Sequence, residues 1–188
     1  MDKTIVKLET IFSKMVSNYN SMGNSWKNIE LGREAFGLMM SLPDNYPGEY
    51  ETSADKANLL SQMLDHMVET ESPRLCITVR EEMKRLNPGD SANDKALRML
   101  RDYIDISVPM EDFCKRYRRH LKFDPIERSE EYERAIPEVE REIAKKLKGI
   151  PRGMGFCFAY WSVKKTELAK RAIEWNSPAY MNPGVMFD

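Results

Sequence analysis

Apolar residues recur along this 188-residue chain at steps of three and four, the period of a helix that buries one face. The first stripe is Ile5, Leu8, Phe12, Met15 and Tyr19, with Asp2 or Thr4 placed to cap it and Gly23 to end it. A second helix, from about Trp26 to Leu42, turns Ile29, Phe36, Met39 and Met40 inward. Gly32 and Gly37 weaken that helix unless a neighbour must approach it closely. Residues 41–53 read as a loop, since LPDNYPGEYETS is dense in turn formers. Thr52 and Asp55 then form a capping box for a third helix that buries Ala57, Leu60, Leu64 and Met67.

Ser72-Pro73 starts a fourth helix, with Leu75, Val79, Met83 and Leu86 inward, and Pro88-Gly89 closes it. Ser91 and Asp94 cap a fifth helix carrying Leu97, Leu100 and Tyr103, and Pro109 precedes a sixth with Phe113, Tyr117 and Leu121 in line. Tyr132, Ile136, Val139, Ile143 and Leu147 continue one stripe through Pro137, which predicts a short helix followed by a longer one ending near Gly149. A last helix from Met154 to Ile173 precedes a non-helical tail, 174–188, apolar enough to fold back on the rest. No run alternates as a strand does. The pattern predicts an all-α protein: about eight helices in a multi-helix bundle or an array of antiparallel hairpins, forming a single domain over 1–188.

Composition changes this picture little. A net charge of −1 removes any global pull toward nucleic acid or anionic lipid. Three widely spaced cysteines, with no CxxC pair, fit reduced thiols rather than a disulfide framework or a zinc site. The N-terminal segment mixes charged and apolar residues, unlike a signal peptide, and no apolar stretch is long enough to span a bilayer. The expected setting is therefore the cytoplasm, without a metal, a cofactor or a membrane.

Charge is unevenly distributed, and two basic stretches stand out. Lys115, Arg116, Arg118, Arg119 and Lys122 surround the Phe113–Tyr117–Leu121 stripe, an arrangement that can neutralise phosphates or serve simply as a solvated helix face. Lys145, Lys146 and Arg152 precede the glycine-spaced start of the last helix, where free N–H groups suit an anion. Lysines there also complement the dipole of the preceding helix. The spacing matches neither phosphate-loop pattern, and the acidic run from Glu127 to Glu142 is placed to pair with both stretches.

Catalytic signals are sparse. Cys114 and His120 are six apart and point apart on one helix, and neither HExxH nor GxSxG occurs. Glu30 with Glu34, and Glu138 with Glu142, read as exposed helix carboxylates. The run GFCFAYW, by contrast, is apolar around two full turns: Phe156 and Tyr160 on one side, Phe158 and Trp161 on another. A helix apolar all round belongs in a core, so the run predicts a central, buried helix. Exposure of Phe156, Tyr160 and Trp161 together would make it a binding surface instead. Three functional readings follow. The first is a non-enzymatic interaction or adaptor protein with a protein partner. The second is a nucleic-acid-binding protein using 115–122 and 145–152. The third is an enzyme whose site is assembled from residues distant in sequence.

Overall fold

The structure, a computed structural model, describes residues 3–187. Among these residues it is all-helical, with nine α-helices, three short 3-10 turns and no strand. The expected all-α class holds. The chain divides into two compact units, residues 1–101 and 102–188. The expected cap at Asp2 lies outside the described residues, and Thr4 is already inside the first helix.

The first unit holds α1 (Lys3–Asn20), α2 (Asn28–Met40), α3 (Ser53–Leu64), α4 (Pro73–Leu86) and most of α5 (Ser91–Ile104). α1 packs on α2 and α3 on α4, as short connections favour. Their apolar stripes meet in one core: Ile5, Leu8, Ile11 and Met15 from α1, Leu60 and Met63 from α3, Val79 and Met83 from α4. The predicted Thr52–Asp55 capping box is present, and Pro73 opens α4. At α5, however, it is the Asp90 carboxylate that accepts the N–H groups of Ala92 and Asn93. Gly32 has the close neighbour its position implied: a Cβ there would lie 2.7 Å from the Met67 sulfur, while Gly37 meets nothing.

Polar side chains are also buried in this unit, and Asn28 is the most tightly tied. Asn28 is fully buried, and its amide donates to the Met15 carbonyl at 2.9 Å and the His66 carbonyl at 2.7 Å. Its own oxygen accepts from the Asn18 amide at 2.9 Å. The side chain thus ties α1 to the segment after α3, with both halves of its amide satisfied.

The second unit contains α6 (Met110–Arg116), α7 (Glu130–Lys146), α8 (Phe156–Ala169) and the single turn α9 (Pro178–Met181). Three sequence expectations need correction here. The sixth helix stops at Arg116 rather than running through Leu121, because Arg118 turns left-handed at φ 52° and the Arg119 N–H closes onto the Cys114 carbonyl. Pro137 lies within one continuous α7 and does not divide it. The tail is not wholly irregular: Ser177 caps the α9 turn with Pro178 at its start.

Polar ties pin that tail. The buried Asp124 carboxylate accepts the Ile126 N–H at 2.9 Å and the Asn176 N–H at 2.7 Å. The Trp175 indole donates to Glu127 at 2.8 Å. Asn182 accepts from the Lys122 N–H and donates to its carbonyl, both at 2.8 Å. Nearby, Tyr103, Phe113 and Phe123 form an aromatic cluster, with the Arg128 guanidinium 5.3 Å from the Phe113 ring.

Candidate interaction surface

α8 has two dissimilar faces. Tyr160, Lys164, Glu167 and Leu168 follow the helical period and lie toward α7. The Lys164 ammonium sits amid three rings, 5.4 Å from Tyr132, 5.6 Å from Tyr160 and 5.3 Å from Trp175. Glu140 lies 3.7 Å from it and also accepts the Tyr160 hydroxyl. Aromatic quadrupoles and a carboxylate together compensate a lysine that is largely withdrawn from water.

One turn further on, Glu167 is almost wholly buried and accepts Lys146 at 2.5 Å and Lys170 at 2.8 Å, with Arg171 3.6 Å away. The hydrogen bonds from Lys146 and Lys170 hold its carboxyl well below the ordinary 4.5, at about 2. Glu127 shifts the other way, because burial raises its pKa more than Lys164 and the Trp175 indole lower it.

The other face of α8 is only partly covered. No residue from Phe156 to Trp161 is fully buried, so the run is not the buried core helix expected, yet Phe156, Tyr160 and Trp161 are half-buried and not exposed together. An apolar pattern around a helix implies full burial only when neighbours exist on every side, and here α7 packs on one side while the tail reaches Trp161 through Phe187. Phe158, 51% exposed, meets Trp161 edge to face at 5.4 Å, and Trp161 meets Phe187 of the tail at 5.2 Å. Met154, four residues before Phe158, and Met186, next to Phe187, are 93% and 94% exposed. Gly155 makes this layout possible, since its φ of +80° turns the chain sharply into α8 and leaves Met154 outside.

The basic residues singled out in the sequence are mostly engaged within the fold. Arg116 pairs with Asp102 at 2.5 Å, Lys122 with Glu111 at 2.8 Å, Lys145 with Glu142 at 2.5 Å and Lys146 with Glu167. Arg119 lies over the Phe113 and Phe123 rings, and Arg152 over Phe156 at 5.0 Å. Lys115 and Arg118 are exposed and lack an ion pair among the described residues. Residues 117–124 form no helix, so the 115–122 stretch is not the continuous basic helix its pattern predicts.

Other chemistry is thinly represented. All three cysteines are free, Cys76 and Cys114 buried and Cys157 half-buried. Among the described residues no cluster of three or more His, Cys, Asp or Glu side chains could hold a metal, and no helix is long and apolar enough to cross a membrane. No protein-family model matches the chain, no curated protein matches its sequence, and no solved structure matches its fold. What sequence reading missed is the caged Lys164 and the partly exposed contact of Phe158, Trp161 and Phe187. The spacing of Tyr160, Lys164 and Leu168 does carry the first, as one face of a helix.

Proposed function

We propose that this is a non-enzymatic interaction protein of the cytosol, and that it engages a protein partner through the partly covered face of α8 and the methionines exposed beside it. The observation that carries this reading is the joined trio of exposed Phe158 with half-buried Trp161 and Phe187, on the segments that also expose Met154 and Met186. Large apolar groups in contact with one another at a surface retain a hydrophobic driving force that single exposed residues lack. Aromatic residues and methionine are the side chains enriched where protein interfaces bury their centres. Methionine adds a flexible, polarisable contact that adapts to a partner's shape.

A photo-crosslinking amino acid at position 158, compared with one at exposed Lys115, tests this in cells that express the chain. The expected result is one recurrent adduct at 158, absent at 115, lost on Trp161→Ala and insensitive to salt. Equal, diffuse labelling at both positions sinks the proposal. Labelling confined to position 115 and abolished by salt would support nucleic acid instead.

A further inference from the structure

The first unit contains a pocket that the interaction surface does not use. It has a volume of about 230 Å³ and lies between α1, the end of α2, the 41–52 loop and α3. Its walls are apolar: Leu8 and Phe12 of α1, Met39 of α2, Tyr50 of the loop and Leu59 of α3. Polar ties fix the loop beside it. The Tyr50 hydroxyl donates to the Pro43 carbonyl at 2.6 Å, and Arg85 grips Asp44 with two bonds of 2.9 Å. Well-packed interiors hold few voids larger than a water molecule, so an apolar pocket of this size braced by hydrogen bonds is a built feature.

Three charged residues line it, and they differ in what they have left to offer. Lys56 is buried, and its ammonium already donates to the Leu42 carbonyl at 2.8 Å and to Asp44 at 3.3 Å. Asp44 neutralises it. Glu9 and Glu49 are exposed, and neither carboxylate has a hydrogen-bond or ion-pair partner among the described residues. The pocket therefore pairs an apolar interior with two carboxylates whose charge is uncompensated, while its one cation is spent.

From this complementarity we infer that the pocket binds a small amphipathic amine: an apolar ring on a short chain that ends in an ammonium. The apolar body enters among Leu8, Phe12 and Leu59, and the ammonium remains half-solvated between Glu9 and Glu49. Size agrees, since a cavity of about 150 Å³ holds benzene and the remaining volume suits a short side chain. A fatty acid is the wrong charge for this pocket, because its carboxylate would meet Glu9 and Glu49 with no free cation to receive it.

Three probes of one shape separate charge from greasiness: 2-phenylethylamine, the neutral 2-phenylethanol and the anionic 3-phenylpropionate. Binding is read from the methyl NMR shifts of Leu8 and Leu59. The amine is expected to bind in the millimolar range or tighter, the alcohol about tenfold more weakly, as two half-exposed ion pairs imply, and the acid not at all. Glu9→Gln with Glu49→Gln, both at exposed positions, should erase the preference for the amine yet leave alcohol binding intact. Leu59→Trp, which fills the pocket, should abolish both. No amine binding at high millimolar concentration, equal binding of amine and alcohol, or a preference that survives the double substitution would each overturn the inference. None of these outcomes bears on the α8 surface, whose cross-linking is read at a different position.

Discussion

Residues 1–101 bury leucine, isoleucine and methionine around α3 and admit, among the described residues, four polar side chains, Asn28, Ser72, Asn93 and the single charged Lys56. Residues 102–188 bury glutamates, an arginine and an aspartate, and hold Lys164 among aromatic rings. The first unit conceals its apolar stripes. The second buries the Glu140 and Glu167 carboxylates against lysines beside its apolar core and leaves part of its aromatic surface outside. Burying charge against charge adds little net stability, since desolvation offsets the Coulomb gain, but it fixes geometry. A unit built that way can hold an apolar helix face steady without fully covering it. That is the physical sense in which the second unit is suited to present a surface and the first to enclose a pocket.

The largest expected effect tests the first half of this contrast. Leu60 is fully buried in the core of the first unit, and Leu60→Ala should cost about 3 kcal/mol, from lost transfer energy and the cavity left behind. Hydrogen exchange should show the loss centred on α1 to α4. An equal loss of protection across 102–187 would break the comparison, because the two units would then unfold as one.

Acid sharpens the second half. Glu167 has its folded pKa lowered to about 2, so its stabilising effect is complete above the ordinary 4.5 and is lost as pH falls toward 2. Glu127 has its pKa raised by burial, so its contribution is complete at low pH and lost as pH rises through the raised value. Denaturant midpoints of the wild type and Glu167→Gln should therefore differ most at neutral pH and converge only as pH falls toward 2. A gap between them that stays constant across this range would mean that the Lys146–Glu167–Lys170 cluster does not hold α7 to α8.

Several features of both units are visible in the residues themselves, because their cause is local. Thr52 with Asp55, Pro73 at a helix start and Gly155 at a sharp turn each encode their backbone in one or two side chains. The end of α6 is not encoded this way. Arg118 takes a left-handed conformation that glycine would announce, and Arg119 is drawn over Phe113 and Phe123, rings contributed in part from further along the chain. The aromatic face of α8 is half legible: its composition is plain, but whether a neighbour covers it depends on α7 and the tail. The pocket is invisible in sequence, because its walls come from four separate segments.

Ala172 offers a smaller test of the same division. It ends α8 in the left-handed conformation, φ 57°, where the Ile173 N–H closes onto the Leu168 carbonyl at 3.1 Å. An L-residue is strained there, so Ala172→Gly should stabilise by about 1 kcal/mol, less the entropy glycine adds to the unfolded chain. Chemical denaturation reads this directly. A loss of stability would show that the Ala172 methyl makes contacts worth more than the strain.

The smallest expected change carries the most meaning for function. Phe158→Ser removes a large apolar side chain, as Leu60→Ala does, yet Phe158 keeps half its surface in water and its neighbour Trp161 is itself only half-buried. The stability of the folded chain should move by no more than about 0.5 kcal/mol, in denaturation measured beside Leu60→Ala. A phenylalanine that contributes so little to its own fold is costly to expose unless something else uses it, because contiguous surface aromatics favour aggregation. If Phe158→Ser instead cost as much as Leu60→Ala, Phe158, Trp161 and Phe187 would be a satellite core of the second unit. The partly covered face of α8 would then be the outer wall of that core and no longer a site for a partner.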